Sequence, residues 1–333
     1  MARRKTLVWQ IVLILTVIAL FLSFNVGLYA ALTRRLSNNF SGTSQAKMID
    51  VRRYLPFEED SDLARVNATL KLSGELPVLD GAAALVPVYA SVINAVYPSG
   101  SVTYEGGAFS DDNYYGENFA ADSKMQYKNT VRGYKAIVDG ETDIFFSAAP
   151  SEEQKAYADE QGVQLHYEPI GLEAFVFFVN AKNPVNDLTA EQIRGIYGGT
   201  YTNWAELGGP DRPINPVTRL AGSGSQSAME KFMGETPFAK KSPLAFFGAS
   251  IGYSFRYYME GIVDNNEVKM LSLNGAAPSP ENIRSGAYPA VAQFYAVYRE
   301  DDPNLNVKAL VAWLLSDEGQ TLIERSGYVR ITS

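Results

Sequence analysis

From about Glu75 onward, short apolar runs of strand type alternate with amphipathic stretches of helix type, and this alternation limits the fold more than any other feature. The strand-type runs are 76–81, 101–106, 124–129, 142–148, 163–171, 173–180, 214–219, 268–275 and 293–299. Between them the pattern predicts helices over Ala84–Val96, Thr130–Asp139, Glu152–Glu160, Thr189–Tyr197, Ser227–Gly234 and Asn306–Arg325. Val307, Leu310, Val311 and Leu314 follow helical spacing in the last of these, and Gly327 ends it. The run from Asp187 to Glu191 opens one helix with a capping pattern, and Ser227 with Glu230 three residues on suggests another start. Strands separated by helices predict an α/β body with parallel sheets and ligand loops at the strand C-termini.

Composition removes several kinds of chemistry. Among 333 residues there is no cysteine and one histidine, so disulfides, thiol nucleophiles, thiolate metal sites and two-histidine metal motifs are all excluded. With 37 acidic against 29 basic residues the net charge is −8, a poor match to nucleic acid, which calls for a basic face. No cofactor and no metal is expected.

That charge is unevenly placed. Residues 1–35 hold Arg3, Arg4, Lys5, Arg34 and Arg35 and no acid, a local +5, which leaves −13 for the rest. Between the two basic clusters Thr6–Leu32 runs 27 residues without a charge. As a helix at about 1.5 Å per residue it reaches roughly 40 Å, enough to cross a hydrocarbon core of about 30 Å. Trp9 and Tyr29 sit near its ends, where amphipathic rings favour the interface. A cleaved signal peptide is the alternative. It calls for small residues at −3 and −1 of a cleavage site, and Ala30 pairs there with Leu28, Ala31 with Tyr29. The expectation is a tail at 1–5, a transmembrane anchor at 6–32, a stalk and adaptor at 33–76 and a binding domain at 77–333. Basic residues on both sides of the span leave the orientation open, and a cytoplasmic tail is expected only where the body belongs to an extracytoplasmic family.

Three strand-to-helix junctions carry the chemistry. In residues 214–233 a strand ends at Arg219, then comes Gly222-Ser223-Gly224-Ser225, then a helix. Glycines let backbone approach a ligand, hydroxyls donate, and the free N–H groups of a helix start favour an anion. Arg219 adds a guanidinium fork that suits oxyanions. Read alone, the loop is equally a plain Gly/Ser linker. A second junction has Asp80-Gly81 followed by Ala82, Ala83 and Ala84, whose amides open a helix. At the third, Thr130 starts a helix and Asp143 precedes an apolar strand. A carboxylate beside an anion pocket makes sense where it accepts a proton from the ligand, as monohydrogen phosphate offers and sulfate does not; otherwise Asp143 is a solvated turn acid.

Taken in order, Asp80-Gly81, the segment 140–151, the block 170–209 with Asn183-Pro184, Leu188-Thr189, Ile196-Tyr197 and Asn203-Trp204, the loop 218–232, and the ending with Ser316-Asp317-Glu318-Gly319-Gln320 and Gly327-Tyr328 resemble the phosphate-binding-protein branch of class II periplasmic binding proteins. The resemblance spans about Leu76 to Ile331. It implies a two-lobe periplasmic-binding-protein type II fold of α/β class with a hinge of two crossing strands, lobe 1 at about 77–168 and 291–333 and lobe 2 at about 169–290. Carried over by position, Arg219, Ser223, Gly224 and Ser225 fall on the family's phosphate loop, Asp143 on its proton-accepting aspartate, and Thr130 near its hydroxyl donor. This chain departs in three places: alanines at 82–84 where Ser or Thr hydroxyls are usual, Ala221 before the loop, and Ala148 where an acid can occur.

The function expected from these features is a membrane-anchored, single-pass, extracytoplasmic receptor that captures phosphate or a related oxyanion for the membrane subunits of an ABC importer. A sensory or scaffold protein that keeps the fold but has changed its ligand is the second reading. A serine hydrolase is the third; it would use Ser223 or Ser225 with His166 as base, although the loop is not a G-x-S-x-G elbow. Trp204 and most of 252–261 read as packing, with Ser254 or Arg256 reaching the cleft as the sharper alternative. Glu173 reads as a strand-end acid, and His166 as structural.

Overall fold

The computed structural model describes residues 49–109, 115–219, 221–240, 248–263 and 266–331, with residue 245 and, before residue 49, residues 9, 16, 21–23, 26 and 27. It divides into two compact units, residues 1–46 and 47–333. In the first unit the described residues are helical. The tail at 1–5, most of the expected span at 6–32 and the linker at 33–48 lie outside the described residues. No helix among the described residues is long and apolar enough to cross a membrane.

The second unit is built on one mixed sheet. Its strands run β1 (Leu79–Gly81), β4 (Ile144–Ala148), β11 (Val291–Arg299), β5 (Leu165–Asn180), β8 (Ala249–Phe255) and β7 (Ile214–Pro216), with β9 (Val268–Met270) also on β5. Two small ribbons, β2 (Tyr104–Phe109) with β3 (Tyr115–Phe119) and β6 (Asp187–Leu188) with β10 (Ser272–Leu273), complete it. The expectation of parallel sheets holds only for the pairs β1–β4 and β7–β8 within this sheet. The long strands break it, because β11 lies antiparallel to both β4 and β5, and β5 antiparallel to β8 and β9.

β5 explains the architecture. The two runs expected at 163–171 and 173–180 are one strand of 16 residues. Its first part, to Ala174, pairs with β11; from Phe175 it pairs with β8. One strand therefore serves two half-sheets. Its C-terminal part, Ala174 to Val179, is buried throughout, as a strand covered on both faces must be.

Alternation sorts the core. In β4, Ile144 and Phe146 face a cluster with helix α1 (Val86–Val96) and the C-terminal helices, while Phe145 faces a second cluster with α2 (Asn129–Val138) and α3 (Glu152–Glu160). In the other half-sheet Phe175, Phe177, Phe232 and Tyr253 form an aromatic group with centroid distances of 4.9–6.3 Å. Trp204 packs fully buried, its Nε1–H donating to the Ala249 carbonyl at 2.9 Å.

Several boundaries differ from the pattern reading, each for a local reason. Residues 124–129 form no strand: Met125 makes a single bridge to Leu79, after which the Lys128 N–H turns to the Asp80 carboxylate and Asn129 takes φ +62°. Helix α4 (Ala190–Tyr197) begins behind the capping box of Thr189 and Gln192. Helix α5 (Gly224–Met233) starts a turn earlier than predicted, because Ser223 rather than Ser227 is its cap. The single C-terminal helix is two, α7 (Leu305–Leu315) and α8 (Asp317–Arg325), separated by Ser316, whose hydroxyl caps the second. A short α6 (Pro280–Arg284) precedes β11.

The adaptor expectation is corrected from Ile49 onward. Ile49, Val51, Tyr54, Ala68 and Leu72 are buried in the same core as α1 and the C-terminal helices. The one helical element among the described residues of this stretch is a short turn at Val51–Tyr54. The Phe57 and Ala64 amides donate to Asn94 and Ser91 of α1, and Thr69 to Glu318 of α8. The charged residues of this stretch face water while its apolar ones enter the body, so it is a strap rather than a stalk.

Candidate anion-binding site

The C-terminal ends of β1 and β4 lie side by side, and three helix starts gather there. The first follows Gly81. No side chain fits at Gly81, since a Cβ would stand 2.8 Å from the Tyr89 ring and 2.9 Å from the Phe146 carbonyl. Ala82 then donates its N–H to the Phe146 carbonyl at 2.8 Å, and Ala83–Leu85 form a tight turn leading into α1. Ala82, Ala83 and Ala84 are each half-buried. As first-turn residues, Ala83 and Ala84 present backbone N–H groups that the turn itself cannot satisfy.

The second is the start of α2. Asn129 Oδ1 accepts the Thr130 N–H at 2.7 Å and lies 3.4 Å from the Thr130 hydroxyl. Thr130 is half-buried, and Val131 beside it is 48% exposed, an apolar side chain at a helix start facing solvent.

The third is α5 with the loop before it. Gly222 turns at φ +75°, a conformation that favours glycine, and a Cβ there would lie 3.6 Å from Val131 Cγ2. The loop on β7's half-sheet thus meets the start of α2 on β1's half-sheet, and α5 also touches β4. Ser223 Oγ accepts the Gln226 N–H at 3.3 Å, and Gly224 and Ser225 form the first turn. Arg219 is fixed through its backbone: its N–H is shared between Gln226 Oε1 and the Tyr253 hydroxyl, each at 3.1 Å. Its charge favours the ionised form of the nearby Tyr258 hydroxyl, against the larger effect of burial.

Asp143 does not join this group. It precedes β4, and its Oδ2 accepts the Val78 N–H at 2.6 Å just before β1. β4 advances five residues from there to Ala148, so at about 3.3 Å per residue Asp143 lies roughly 16 Å from the end where the helix starts meet. Burial pushes its carboxyl above the usual range, partly opposed by the Val78 N–H. Its place in the fold is that of a strand tie. At the other end of β4 stands Ala148.

Pattern reading missed two features. Asp80 is fully buried beneath the first loop, its Oδ1 accepting the Gly81 N–H at 2.7 Å and the Lys128 N–H at 3.0 Å, with Oδ2 unpartnered. Burial raises its pKa to about 6 against the pull of those two amides. The second is the Gln226–Tyr253 pair behind Arg219. Gln226, three residues after the cap, carried a local signal, whereas Tyr253 comes from a distant strand and carried none. His166 is bonded to Glu168 at 3.0 Å on β5, and Ser223 Oγ to Gln226, so neither is turned toward the other in the arrangement a hydrolase would use. Arg256 and Glu173 are buried together as an ion pair.

A family model for a PBP superfamily domain matches residues 109–318, and the chain belongs to that superfamily. Within it the resemblance to the phosphate-binding branch holds. The chain is 26% identical over 254 residues to the phosphate-binding protein PstS of Bacillus subtilis, covering 70% of this chain and 82% of the relative. It is 25% identical over 295 residues to the protein SphX of Synechococcus elongatus, covering 76% and 86%. Among solved structures, a Clostridium perfringens protein with bound phosphate, described as a phosphate ABC transporter substrate-binding protein, matches at a TM-score of 0.54 and 23% identity over 77% of this chain and 99% of its own. An ABC-type phosphate transport receptor from Vibrio cholerae matches at 0.51 and 21%, over 77% and 100%. These two likenesses show a shared fold.

Proposed function

We propose that this chain is a membrane-anchored, extracytoplasmic substrate-binding protein that captures an oxyanion, phosphate first, between two lobes and delivers it to an ABC importer. The observation that carries this reading is the meeting of three helix starts at the ends of β1 and β4, with parts from both half-sheets and with Arg219 in the loop that leads into the third. Orphan amides of Ala83 and Ala84, the Thr130 hydroxyl, the Ser223–Ser225 turn and the Arg219 guanidinium together replace an anion's water shell. β5 and β11 would act as the hinge, and a ligand touching both halves stabilises the closed form by its differential contacts. Relatives named for phosphate binding and transport support the choice of ligand. The uncharged run Thr6–Leu32 supports the anchor, and the resemblance to periplasmic binding proteins supports the extracytoplasmic placement of the body.

Equilibrium dialysis of the full chain in detergent against labelled phosphate, with sulfate, molybdate and small carboxylates as competitors, tests the ligand. Saturable uptake supports capture, and silence toward every anion refutes it. Retention in membranes after carbonate extraction tests the anchor.

A sensory or scaffold protein with a changed ligand is the second reading. Ala82–Ala84 favour it, because a first loop without hydroxyls offers an anion only backbone donors, and each missing contact costs about 1–3 kcal/mol.

A further inference from the structure

We infer that Tyr328 and Arg256 are positioning residues, which hold the first anion loop in place from the point where the two half-sheets cross. The inference rests on reading Ala82–Ala84 as part of an anion site.

Arg256 directly follows β8 and is 5% exposed. Its Nε donates to Glu173 Oε1 at 3.2 Å, Nη1 to Glu260 Oε2 at 2.6 Å and Nη2 to the Gly327 carbonyl at 2.5 Å. Glu173 still pairs with β11 on β5, two residues before pairing with β8 begins at Phe175, and its carboxylate also accepts the N–H groups of Ala174 at 2.8 Å and Tyr257 at 3.2 Å. One guanidinium thus binds the crossing strand to the C-terminal turn.

That turn is fixed in shape. Gly327 has φ +89°, and a Cβ on it would fall 2.3 Å from the Tyr257 ring. The next residue, Tyr328, is buried with its ring 4.7 Å from Tyr257 and 4.9 Å from Phe294 between centroids. Its hydroxyl donates to the carbonyl of Ala84. Ala84 has only a methyl group with which to anchor itself, and the loop's other backbone ties include the bonds from Ala82 N–H to Phe146, from Leu85 N–H to Ala82 and from Val86 N–H to Ala83. The Tyr328 bond therefore sets the tilt of the Ala84–Leu85 peptide, and through it the direction in which the turn's free amides point. A path of contacts runs from Glu173 through Arg256, Gly327 and Tyr328 to the loop.

A buried tyrosine that merely fills the core predicts loss of stability and nothing local. The test uses Tyr328→Phe in the full chain, which keeps the ring stack and removes one oxygen. Amide hydrogen exchange at Leu85 is read against Val92 in α1, alongside phosphate calorimetry. The expected result is Leu85 exchange faster by about tenfold with Val92 unchanged, and phosphate affinity weaker by about 5–20-fold. Arg256→Lys keeps the charge but not the fork, and shifts both readings in the same direction. Unchanged Leu85 exchange overturns the inference, as does a rise shared equally by Leu85 and Val92. Faster Leu85 exchange with unaltered phosphate affinity also overturns it. Should the unmodified chain bind no phosphate while Leu85 exchange responds as stated, the positioning stands and the anion reading is what fails.

Discussion

Asp143 Oδ2 accepts the backbone N–H of Val78 at 2.6 Å, tying the start of β4 to the residue before β1. This contact holds the carboxylate at the far end of β4 from the proposed anion site, although matching by motif places it in that site. Asp143→Ala leaves the Val78 N–H without its acceptor and is expected to destabilise the fold by about 1–3 kcal/mol, while phosphate affinity changes less than twofold. Urea denaturation and calorimetry on the same preparation check the pair of outcomes. A collapse of binding at unchanged stability would return Asp143 to the site.

Selectivity follows from the same correction. The described groups gathered at the ends of β1 and β4 are chiefly donors, and Asp80 has one oxygen engaged by Gly81 and Lys128 and the other buried. With no free carboxylate facing the ligand, and hydroxyls that can rotate to donate or accept, such a cradle discriminates only weakly between a protonated and an unprotonated oxyanion. Sulfate is therefore expected to compete with phosphate within about one order of magnitude in affinity, as read by competition dialysis.

Ser223 caps α5 through Gln226 N–H and stands in the loop proposed to face the anion. Ser223→Ala is expected to cost about 1 kcal/mol of stability and to weaken anion binding by about tenfold. Ser227→Ala serves as the contrast: Ser227 lies inside the helix with its hydroxyl turned back to the Ser223 carbonyl, and its removal should change neither by much. Thermal melts and titrations of both variants check this.

Asp80 makes a prediction about pH. Its folded pKa of about 6 lies above the ordinary 3.8, so the folded state holds a proton that the unfolded state releases between those values. Stability from this group is fully present below about pH 4 and is lost as pH rises through about 6. Asp80→Asn keeps an oxygen for the Gly81 and Lys128 amides and cannot ionise. The difference in unfolding free energy between variant and parent should therefore shift in the variant's favour by on the order of 2–3 kcal/mol between pH 4 and pH 7.5. A difference that stays flat with pH would count against the burial argument.

Much of the architecture was legible because the relevant signals are local. Helix α3, at Glu152–Glu160, is where the alternation predicts it, and its start is set locally, by the capping box of Ser151 and Gln154 within four residues. Ser223–Ser225 could be read as a helix start for the same reason, although the start was placed a turn late. What could not be read depends on partners far along the chain. Asp143 and Val78 are 65 residues apart, and nothing near either marks the pairing. The strap from Ile49 reads as a charged, mixed adaptor because its charges are visible in the sequence, while the α1 and α8 groups it packs against are not adjacent to it. The direction of β11, which breaks the parallel pattern, is likewise set by a crossing that no local window contains.

The central claim is that Arg219 and the three helix starts hold an oxyanion, and calorimetry of the full chain with inorganic phosphate tests it most directly. Saturable one-to-one binding is expected, and Arg219→Ala weakens it by about 10–100-fold at unchanged melting temperature. No phosphate heat from the unmodified chain, or equal affinity in Arg219→Ala, would contradict it.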